Sequence, residues 1–207
     1  MEDKTQCHDN AVDQLFERIN VLNPAWTTNP LDKVVATHIF RYAFAIPYIG
    51  GVCLDLGCGI GLGSFIYSFF CEQVISLDYS DEALLVAREN FARPNVEYLK
   101  MDLNNEKLSK RLPEKLDSVV GYEILEHLED PSNCVDQIGN LLEGIGVFSV
   151  PINSSTEFHK TVFQSKDEFT QLFQDFQLLE FFYQVGIRFS TQRGGNVFIL
   201  TCSKSND

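Results

Sequence analysis

Three side chains near the middle of the chain could act together chemically, namely Glu123, Glu126 and His127 in the stretch GYEILEHLED. Their spacings of three and four positions would place them on one face of a helical turn. Two carboxylates and an imidazole suit magnesium, manganese or zinc, because a cation relieves their mutual repulsion. The cluster equally fits a metal-free role, with His127 as general base, since the ordinary pKa of histidine is about 6.5. A structural role, as acids at a helix start with a hydrogen-bonded histidine, is the third interpretation.

The elements around this cluster predict an α/β fold. The segments GVCLDLG, QVISLDY, NVEYLKMD, LDSVVGYE and GVFSVP are typical of buried strands, and helical patterns separate them. This alternation indicates βαβ units and a parallel sheet with helices on both faces. Lys166 to Phe176 predicts one more helix, and two strands follow, LLEFFYQV and NVFILTCS, which a short link should pair antiparallel at one edge. We therefore expect a doubly wound, mostly parallel sheet of seven strands with the last strand antiparallel.

The N-terminal residues predict helices that stand apart from this alternation. AVDQLFERINVL carries an apolar stripe, and a second helix should run from Leu31 to about Ile46. We expect residues 1–50 to form a helical cap and residues 51–203 to form the main domain as one globular unit. Phe16, Trp26 and Phe40 could close the cap over a ligand pocket.

The first strand leads into a glycine-rich turn, LDLGCGIGLGS, with Gly57, Gly59 and Gly61. Ligands of such sheets bind beyond the carboxyl ends of the strands, where glycine lets the backbone approach them. A dinucleotide fingerprint counted from Gly57 needs a third glycine where this chain has Leu62. Asp55 would also repel a pyrophosphate, whereas it suits a cationic ligand such as one bearing an ammonium group. The turn therefore disfavours a dinucleotide.

The stretch VCLDLGCGIGLG resembles the first motif of class I S-adenosylmethionine-dependent methyltransferases, in the type 11/23 methyltransferase domain. The resemblance extends over about residues 41–151, through VISLDYS, YLKMDLNN and GYEILEHLEDP. It implies that Asp78 accepts from both ribose hydroxyls, that Asp102 bonds the adenine amino group and that Arg41 meets the methionyl carboxylate. Tyr122 would border the methionyl part. The implied cofactor site is Arg41, Asp55, Gly57, Cys58, Gly59, Gly61, Asp78, Tyr79, Asp102, Leu103 and Tyr122.

The Glu-x-x-Glu-His pattern is similar to that of the ubiquinone-biosynthesis O-methyltransferases and of the small-RNA 3′-terminal 2′-O-methyltransferases. In both groups a cation can bring the accepting hydroxyls to the sulfonium methyl group and favour their deprotonation. The resemblance implies a magnesium or zinc site formed by Glu123, Glu126, His127 and His159. The second histidine-rich cluster of the RNA group is missing around His159. His127 and Glu123 are the expected catalytic residues.

The expected reaction is O-methylation of a small-molecule acceptor, and the alternatives are an RNA 2′-O-methyltransferase, a protein methyltransferase or a regulatory protein that binds the cofactor without turnover. A formal charge of −13, from 16 basic and 29 acidic residues, disfavours broad attraction to nucleic acid or anionic membranes. No apolar run approaches the roughly 20 residues that cross a bilayer. Six cysteines without a Cys-x-x-Cys pair, and a polar start without a secretory signal, predict reduced thiols and a cytoplasmic protein. The oligomeric state stays open.

Overall fold

The computed structural model describes residues 33–192, 194–195 and 197–205, which form a mixed sheet flanked by helices. The helices are α1 (Lys33–Ala45), α2 (Leu62–Tyr67), α3 (Asp81–Asn90), α4 (Pro131–Leu141) and α5 (Lys166–Gln171). The strands are β1 (Val52–Leu56), β2 (Gln73–Asp78), β3 (Val96–Lys100), β4 (Leu116–Tyr122), β5 (Leu142–Pro151), β6 (Phe176–Val185), β7 (Arg188–Ser190) and β8 (Val197–Lys204). Short 3-10 turns cover Ile46–Tyr48, Leu108–Lys110 and Leu125–His127. The first predicted helix, with Phe16, and the loop after it, with Trp26, lie outside the described residues.

The strands follow the order β3-β2-β1-β4-β5-β8-β6-β7. Strands β1 to β5 are parallel, and β8 runs antiparallel between β5 and β6. The expected doubly wound, mostly parallel sheet with an antiparallel last strand is therefore confirmed. The count differs by one, because a two-residue turn at Gly186 and Ile187 pairs Val185 with Arg188 and adds the three-residue strand β7. So short a strand carries no alternation that a sequence pattern could detect.

Alternating side chains of β1 enter two apolar cores, which explains why helices cover both faces of the sheet. Leu54 and Leu56 belong to the larger core, which also holds the apolar face of α4. Cys53, which precedes Leu54 and lies on the opposite face, packs in a second core with Ala45 of α1 and Tyr67 of α2. The described part of the predicted N-terminal cap, α1, thus shares a core with the sheet.

Local sequence signals begin the helices, and packing ends some of them early. Ser80 caps α3 by accepting the amide of Ala83, and Asp130 caps α4 immediately before a proline. Helix α5 ends at Gln171, short of the predicted Phe176, where the chain turns so that Phe173 packs edge-on to its aromatic neighbours. Strand β5 starts directly after α4, earlier than the GVFSVP pattern predicts.

The strand order reverses at β1, which has β2 on one side and β4 on the other. The loops that follow β1 and β4 therefore diverge, and a crevice opens beyond their carboxyl ends. This edge of the sheet is where the glycine turn and the GYEILEHLED segment meet. Among the described residues, no helix combines the length and apolar character that crossing a membrane requires.

Candidate active site

A cleft of about 430 Å³ lies at this edge of the sheet, a size that suits a small-molecule ligand. Its walls come from α1, the glycine turn, the ends of β2, β3 and β4, and the segment after β5. The lining residues are His38, Tyr42, Gly57, Cys58, Gly59, Ile60, Leu62, Leu77, Asp78, Tyr79, Met101, Asp102, Leu103, Asn104, Tyr122, Glu123, Ile124, His127, Leu128, Glu157, Phe158 and Lys160. The cleft thus joins most of the predicted cofactor residues to the predicted catalytic pair.

The glycine turn is held close to β2 by its backbone. The amide of Cys58 donates to the carbonyl of Leu77 at 2.8 Å. Gly61, outside the cleft lining, begins α2 with a φ of 87°, in the left-handed region. A Cβ atom on Gly61 would lie 2.7 Å from the hydroxyl oxygen of Tyr98 and 2.8 Å from the Cβ of Ala87. Glycine at this position is therefore required by both the backbone conformation and the packing.

Asp78 is the last residue of β2 and Asp102 follows β3, and both residues line the cleft. One carboxylate oxygen of Asp78 accepts the amide of Gly59, and the other accepts the amide of Ser80, each at 2.9 Å. Asp102 accepts the amide of Asn104 at 3.0 Å and the side-chain amide of Asn105 at 2.7 Å. Asp102 accepts these two bonds and has about four lone-pair positions, which leaves capacity for a ligand in the cleft.

Asp55 lies behind the glycine turn and not in the cleft wall. Its Oδ2 accepts the hydroxyl of Ser64 at 2.6 Å, and only 6% of the residue is exposed. Burial raises the pKa of this carboxyl from 3.8 to about 7, with the hydroxyl of Ser64 opposing and the charge of Asp78 adding to the rise. Asp55 would therefore act on a ligand in the cleft only from below the turn.

Arg41 also lies outside the cleft lining and is 2% exposed. Its Nε donates to Oε1 of Gln184 at 2.7 Å, and its Nη1 lies 3.4 Å from Oε1 of Glu123. Glu123 lines the cleft with a φ of 52°, a left-handed conformation that costs a residue with a Cβ about 1–3 kcal/mol. The hydroxyl of Ser149 donates to the same Oε1 at 3.0 Å. The carboxylate of Glu123 is therefore directed toward Arg41 and Ser149.

Tyr79, Tyr122, Cys58 and Leu103 all border the cleft, in line with their places beside the motifs. Tyr79 is 58% exposed, whereas burial raises the pKa of the Tyr122 hydroxyl well above its ordinary value. Within the described part of the chain, the Tyr122 hydroxyl has no hydrogen-bond partner. It is therefore a polar group that a ligand in the cleft could satisfy.

The GYEILEHLED segment divides its acids between two places. Glu126 and His127 lie in the 3-10 turn Leu125–His127 and join His159, so that one ligand atom of each residue lies within 4.8 Å of the others. Glu123 precedes this turn and faces Arg41, so the structure separates it from that group. The rings of His127 and His159 meet edge to face with their centroids 5.0 Å apart. We call Glu126, His127 and His159 the Glu-His-His cluster.

Backbone carbonyls orient both histidines of the cluster. Nδ1 of His127 lies 3.2 Å from the carbonyl oxygen of Phe158, and Nδ1 of His159 lies 3.0 Å from that of Ser154. A carbonyl only accepts, so each Nδ1 must carry the proton in these bonds. Nε2 is then the ring atom left to act as a base or as a metal ligand, and in His127 it lies 4.0 Å from Oε1 of Glu126.

Several cleft residues carried no motif in the sequence. His38 and Tyr42 line it from α1, and burial, with the charge of Arg41, lowers the pKa of His38 to about 3. Their spacing of four on a predicted helix is the signal that could have identified them together. Phe158 and Lys160 close the opposite side, where the amide of Lys160 donates to the carbonyl of Glu126 at 2.8 Å.

The strand order, the glycine turn and the acids after β2 and β3 define a Rossmann-like methyltransferase fold. Two solved structures share it. An S-adenosylmethionine-dependent methyltransferase from Clostridium acetobutylicum ATCC 824 aligns with a TM-score of 0.66 and 12% identity, over 97% of this chain and 100% of that one. The N-methyltransferase NodS from Bradyrhizobium japonicum WM9, in complex with S-adenosyl-L-homocysteine, aligns with a TM-score of 0.66 and 18% identity, over 92% and 97%. At these identities the likeness concerns the fold alone.

Residues 54–150 match a family model described as a methyltransferase domain. A ubiquinone biosynthesis O-methyltransferase from Albidiferax ferrireducens is 30% identical over 136 residues, which cover 64% of this chain and 51% of that protein. The chain spans about a third to a half of the length of the first curated relatives that it matches. Over these residues the chain is therefore similar to a methyltransferase domain and to an O-methyltransferase.

Proposed function

We propose that this protein transfers the methyl group of S-adenosylmethionine to a hydroxyl oxygen of a small-molecule acceptor. The observation that carries the proposal is the continuity of the cleft. One space connects the glycine turn, Asp78 and Asp102 with Glu123 and His127. A methyl donor and its acceptor must share such a space, because the acceptor oxygen, the methyl carbon and the sulfur react in line.

The end of the cleft near β2 and β3 suits the nucleoside of the donor. The carboxylate of Asp78 would accept from ribose hydroxyls, and the remaining lone pairs of Asp102 would accept from an adenine amino group. Both carboxylates are oriented by backbone amides, so little ordering would be needed when a ligand binds. The family resemblance assigns the same roles to these positions.

The end of the cleft near His127 suits the acceptor. When bound, the donor supplies a methyl group on a positively charged sulfur. Neutral His127 would accept the proton of the acceptor hydroxyl at Nε2, while Nδ1 keeps its bond to the carbonyl of Phe158. The acceptor oxygen gains the methyl carbon, and the electron pair of the broken carbon–sulfur bond stays on sulfur. Burial keeps the imidazole of His38, which lines the same cleft, neutral, so it adds no positive charge there.

The Glu-His-His cluster also has the donor set of a divalent-cation site. Two imidazoles and one buried carboxylate fit zinc, and three protein ligands leave a position open for an acceptor oxygen. A bound cation would polarise the acceptor hydroxyl and favour loss of its proton. His127 would then act as a ligand and not as the base. We propose the cation site with these three residues and without Glu123, which faces Arg41.

Binding of S-adenosylhomocysteine tests the cofactor end. Calorimetry should detect binding to the natural protein, and Asp78→Ala should weaken it by about 10- to 100-fold, because two charge-assisted hydrogen bonds are lost. Asp136→Ala, which removes an exposed carboxylate from α4, is the matched control and should bind as the natural protein does. Equal affinities for all three proteins would contradict the proposed cofactor site.

Turnover with labelled S-adenosylmethionine tests the reaction. A panel of phenols, catechols and aliphatic alcohols should contain an acceptor, and His127→Ala should lower kcat by about 100-fold or more. Methylation should be insensitive to salt for a small acceptor, whereas an RNA acceptor would show strong salt dependence. Binding without turnover of any hydroxyl, amine, RNA or protein acceptor would instead favour the regulatory alternative.

A cation titration tests the Glu-His-His cluster. Zinc added to the metal-free protein should raise its Tm, and Glu126→Gln and His159→Ala should each abolish that rise. The control variant Glu157→Gln removes an exposed acid near His159 in the sequence and should keep the rise in Tm. If added metal has no effect on Tm and Glu126→Gln keeps full activity, the cation should be discarded and His127 kept as the base.

The compartment is a separate proposal. The five cysteines in the described residues, Cys53, Cys58, Cys71, Cys134 and Cys202, are free and buried thiols. Reduced thiols are typical of the cytosol, which is where we place the protein.

A further inference from the structure

Gln184 links the far end of the chain to the wall of the cleft. It is fully buried near the carboxyl end of β6, which runs in the same direction as β5 and so ends at the cleft edge of the sheet. Its Oε1 accepts from Nε of Arg41 at 2.7 Å. Its Nε2 donates to the carbonyls of Thr37 at 2.8 Å and Gly186 at 2.9 Å. The amide therefore bonds α1 at two places.

The bond to Arg41 orients a buried cation. Arg41 Nη1 has no hydrogen-bond partner within the described residues, and its carboxylate neighbour is Glu123 at 3.4 Å. A buried guanidinium without partners for its N–H groups is costly, so this arrangement is stable only when neighbours hold it firmly. Gln184 does so through a neutral oxygen, which leaves the charge of Arg41 uncompensated by that contact.

Arg41 in turn orients Glu123, which lies at the cleft surface. Its backbone is strained at a φ of 52°, and its amide donates to the carbonyl of Ser149 at 3.0 Å. Its carboxylate lies between the hydroxyl of Ser149 and the guanidinium of Arg41. Glu123 lines the cleft beyond the glycine turn, away from the nucleoside-binding acids, and Arg41 lies behind it, outside the lining. The carboxylate of Glu123 is complementary to the ammonium group of an α-amino acid, and the charge of Arg41 holds that carboxylate in place.

We propose that Gln184 is a positioning residue that fixes Arg41, and through it Glu123, to receive the amino-acid end of the methyl donor. This inference rests on the proposed function. It separates two parts of the Gln184 side chain: Oε1 positions Arg41, whereas Nε2 ties the hairpin of β6 and β7 to α1. Loss of the first should change ligand discrimination, and loss of the second should change stability.

The test compares two ligands, S-adenosylhomocysteine and 5′-methylthioadenosine, which share the thioether nucleoside and differ in the amino-acid end. Gln184→Leu removes both kinds of bond and should weaken the binding of S-adenosylhomocysteine by about 10-fold or more. The affinity for 5′-methylthioadenosine should change by less than about 3-fold. Gln184→Glu keeps an acceptor for Arg41 and loses a donor to the two carbonyls. It should therefore lower the Tm yet keep most of the preference for S-adenosylhomocysteine.

The control variant is Gln177→Leu, which changes an exposed glutamine of the same strand and should alter neither affinity. The inference would be overturned if Gln184→Leu kept the natural preference for S-adenosylhomocysteine over 5′-methylthioadenosine, or if it lost affinity for both ligands equally. It would also be overturned if Gln184→Leu and Gln184→Glu lost this preference to the same extent. Ligand binding by the natural protein distinguishes failure of this inference from failure of the proposed function. If it binds neither ligand, the methyltransferase proposal falls and this inference with it.

Discussion

The buried acid Asp55 predicts a pH dependence of stability opposite to that of a surface carboxylate. Burial raises the pKa of its carboxyl from 3.8 to about 7, although the hydroxyl of Ser64 donates to it at 2.6 Å. Between these two values the unfolded chain is ionised at this residue and the folded chain is protonated. The folded state then binds more protons, so the free energy of unfolding falls as pH rises across the window.

The expected size follows from the shift. The slope in the window is about 1.4 kcal/mol per pH unit, and the whole window amounts to about 4 kcal/mol at pH 8. Asp55→Asn keeps a side-chain oxygen for the Ser64 hydroxyl and is neutral at every pH. The variant should therefore match the natural protein near pH 4 and exceed its stability by up to about 4 kcal/mol at pH 8.

Urea unfolding at pH 5, 6, 7 and 8, without ligand, measures this difference. The control is Asp136→Asn, which removes the same formal charge from the exposed face of α4. Subtracting its values removes the effect of net charge and of other titrating groups. The reasoning about Asp55 would be refuted if the stability difference between Asp55→Asn and the natural protein did not change with pH, or if it became smaller as pH rose.

Two further substitutions test the packing around the cleft. Gly61→Ala should destabilise by about 2–5 kcal/mol, because the φ of 87° is strained and the new Cβ would lie 2.7 Å from the hydroxyl oxygen of Tyr98. Gly59 has a φ of 55° but open space where a Cβ would lie, so Gly59→Ala should lower the free energy of unfolding by only about 1–2 kcal/mol. Thermal unfolding measures both variants, and equal losses of stability in Gly59→Ala and Gly61→Ala would contradict the packing argument. Phe169→Ala should cost about 3–5 kcal/mol in denaturant unfolding, because this fully buried ring contacts three other phenylalanines. Phe70→Ala, which truncates a half-exposed ring, should stay within about 1 kcal/mol, and a similar loss in both would show that burial is not the cause.

Signals between near neighbours in the chain predicted the framework of the cleft. The strands before Asp78, Asp102 and Glu123 and the glycine turn at Gly57 all follow from alternation and turn chemistry within a few residues. Parallel strands bring their carboxyl ends to one edge, so these positions had to lie near one another once the strand order was known. The three-residue strand β7 was not predicted, because it is too short to carry a sequence pattern.

Contacts between distant segments decided what each side chain does. Glu123 and Glu126 are three positions apart, yet one faces Arg41 of α1 and the other joins His159 of the loop after β5. Gln184 meets Arg41 across 143 positions of sequence, and no local pattern encodes such a pair.

The sequence by itself therefore determined the class of fold, the resemblance to a methyltransferase family and the line of acids along the sheet edge, because periodicity and motif spacing are properties of adjacent residues. Only the tertiary structure decided that Asp55 is buried behind the turn and that Glu123 leaves the histidines. Burial, charge pairing and enclosure depend on which surfaces pack together. That packing is settled by the whole core and not by any one stretch of the chain.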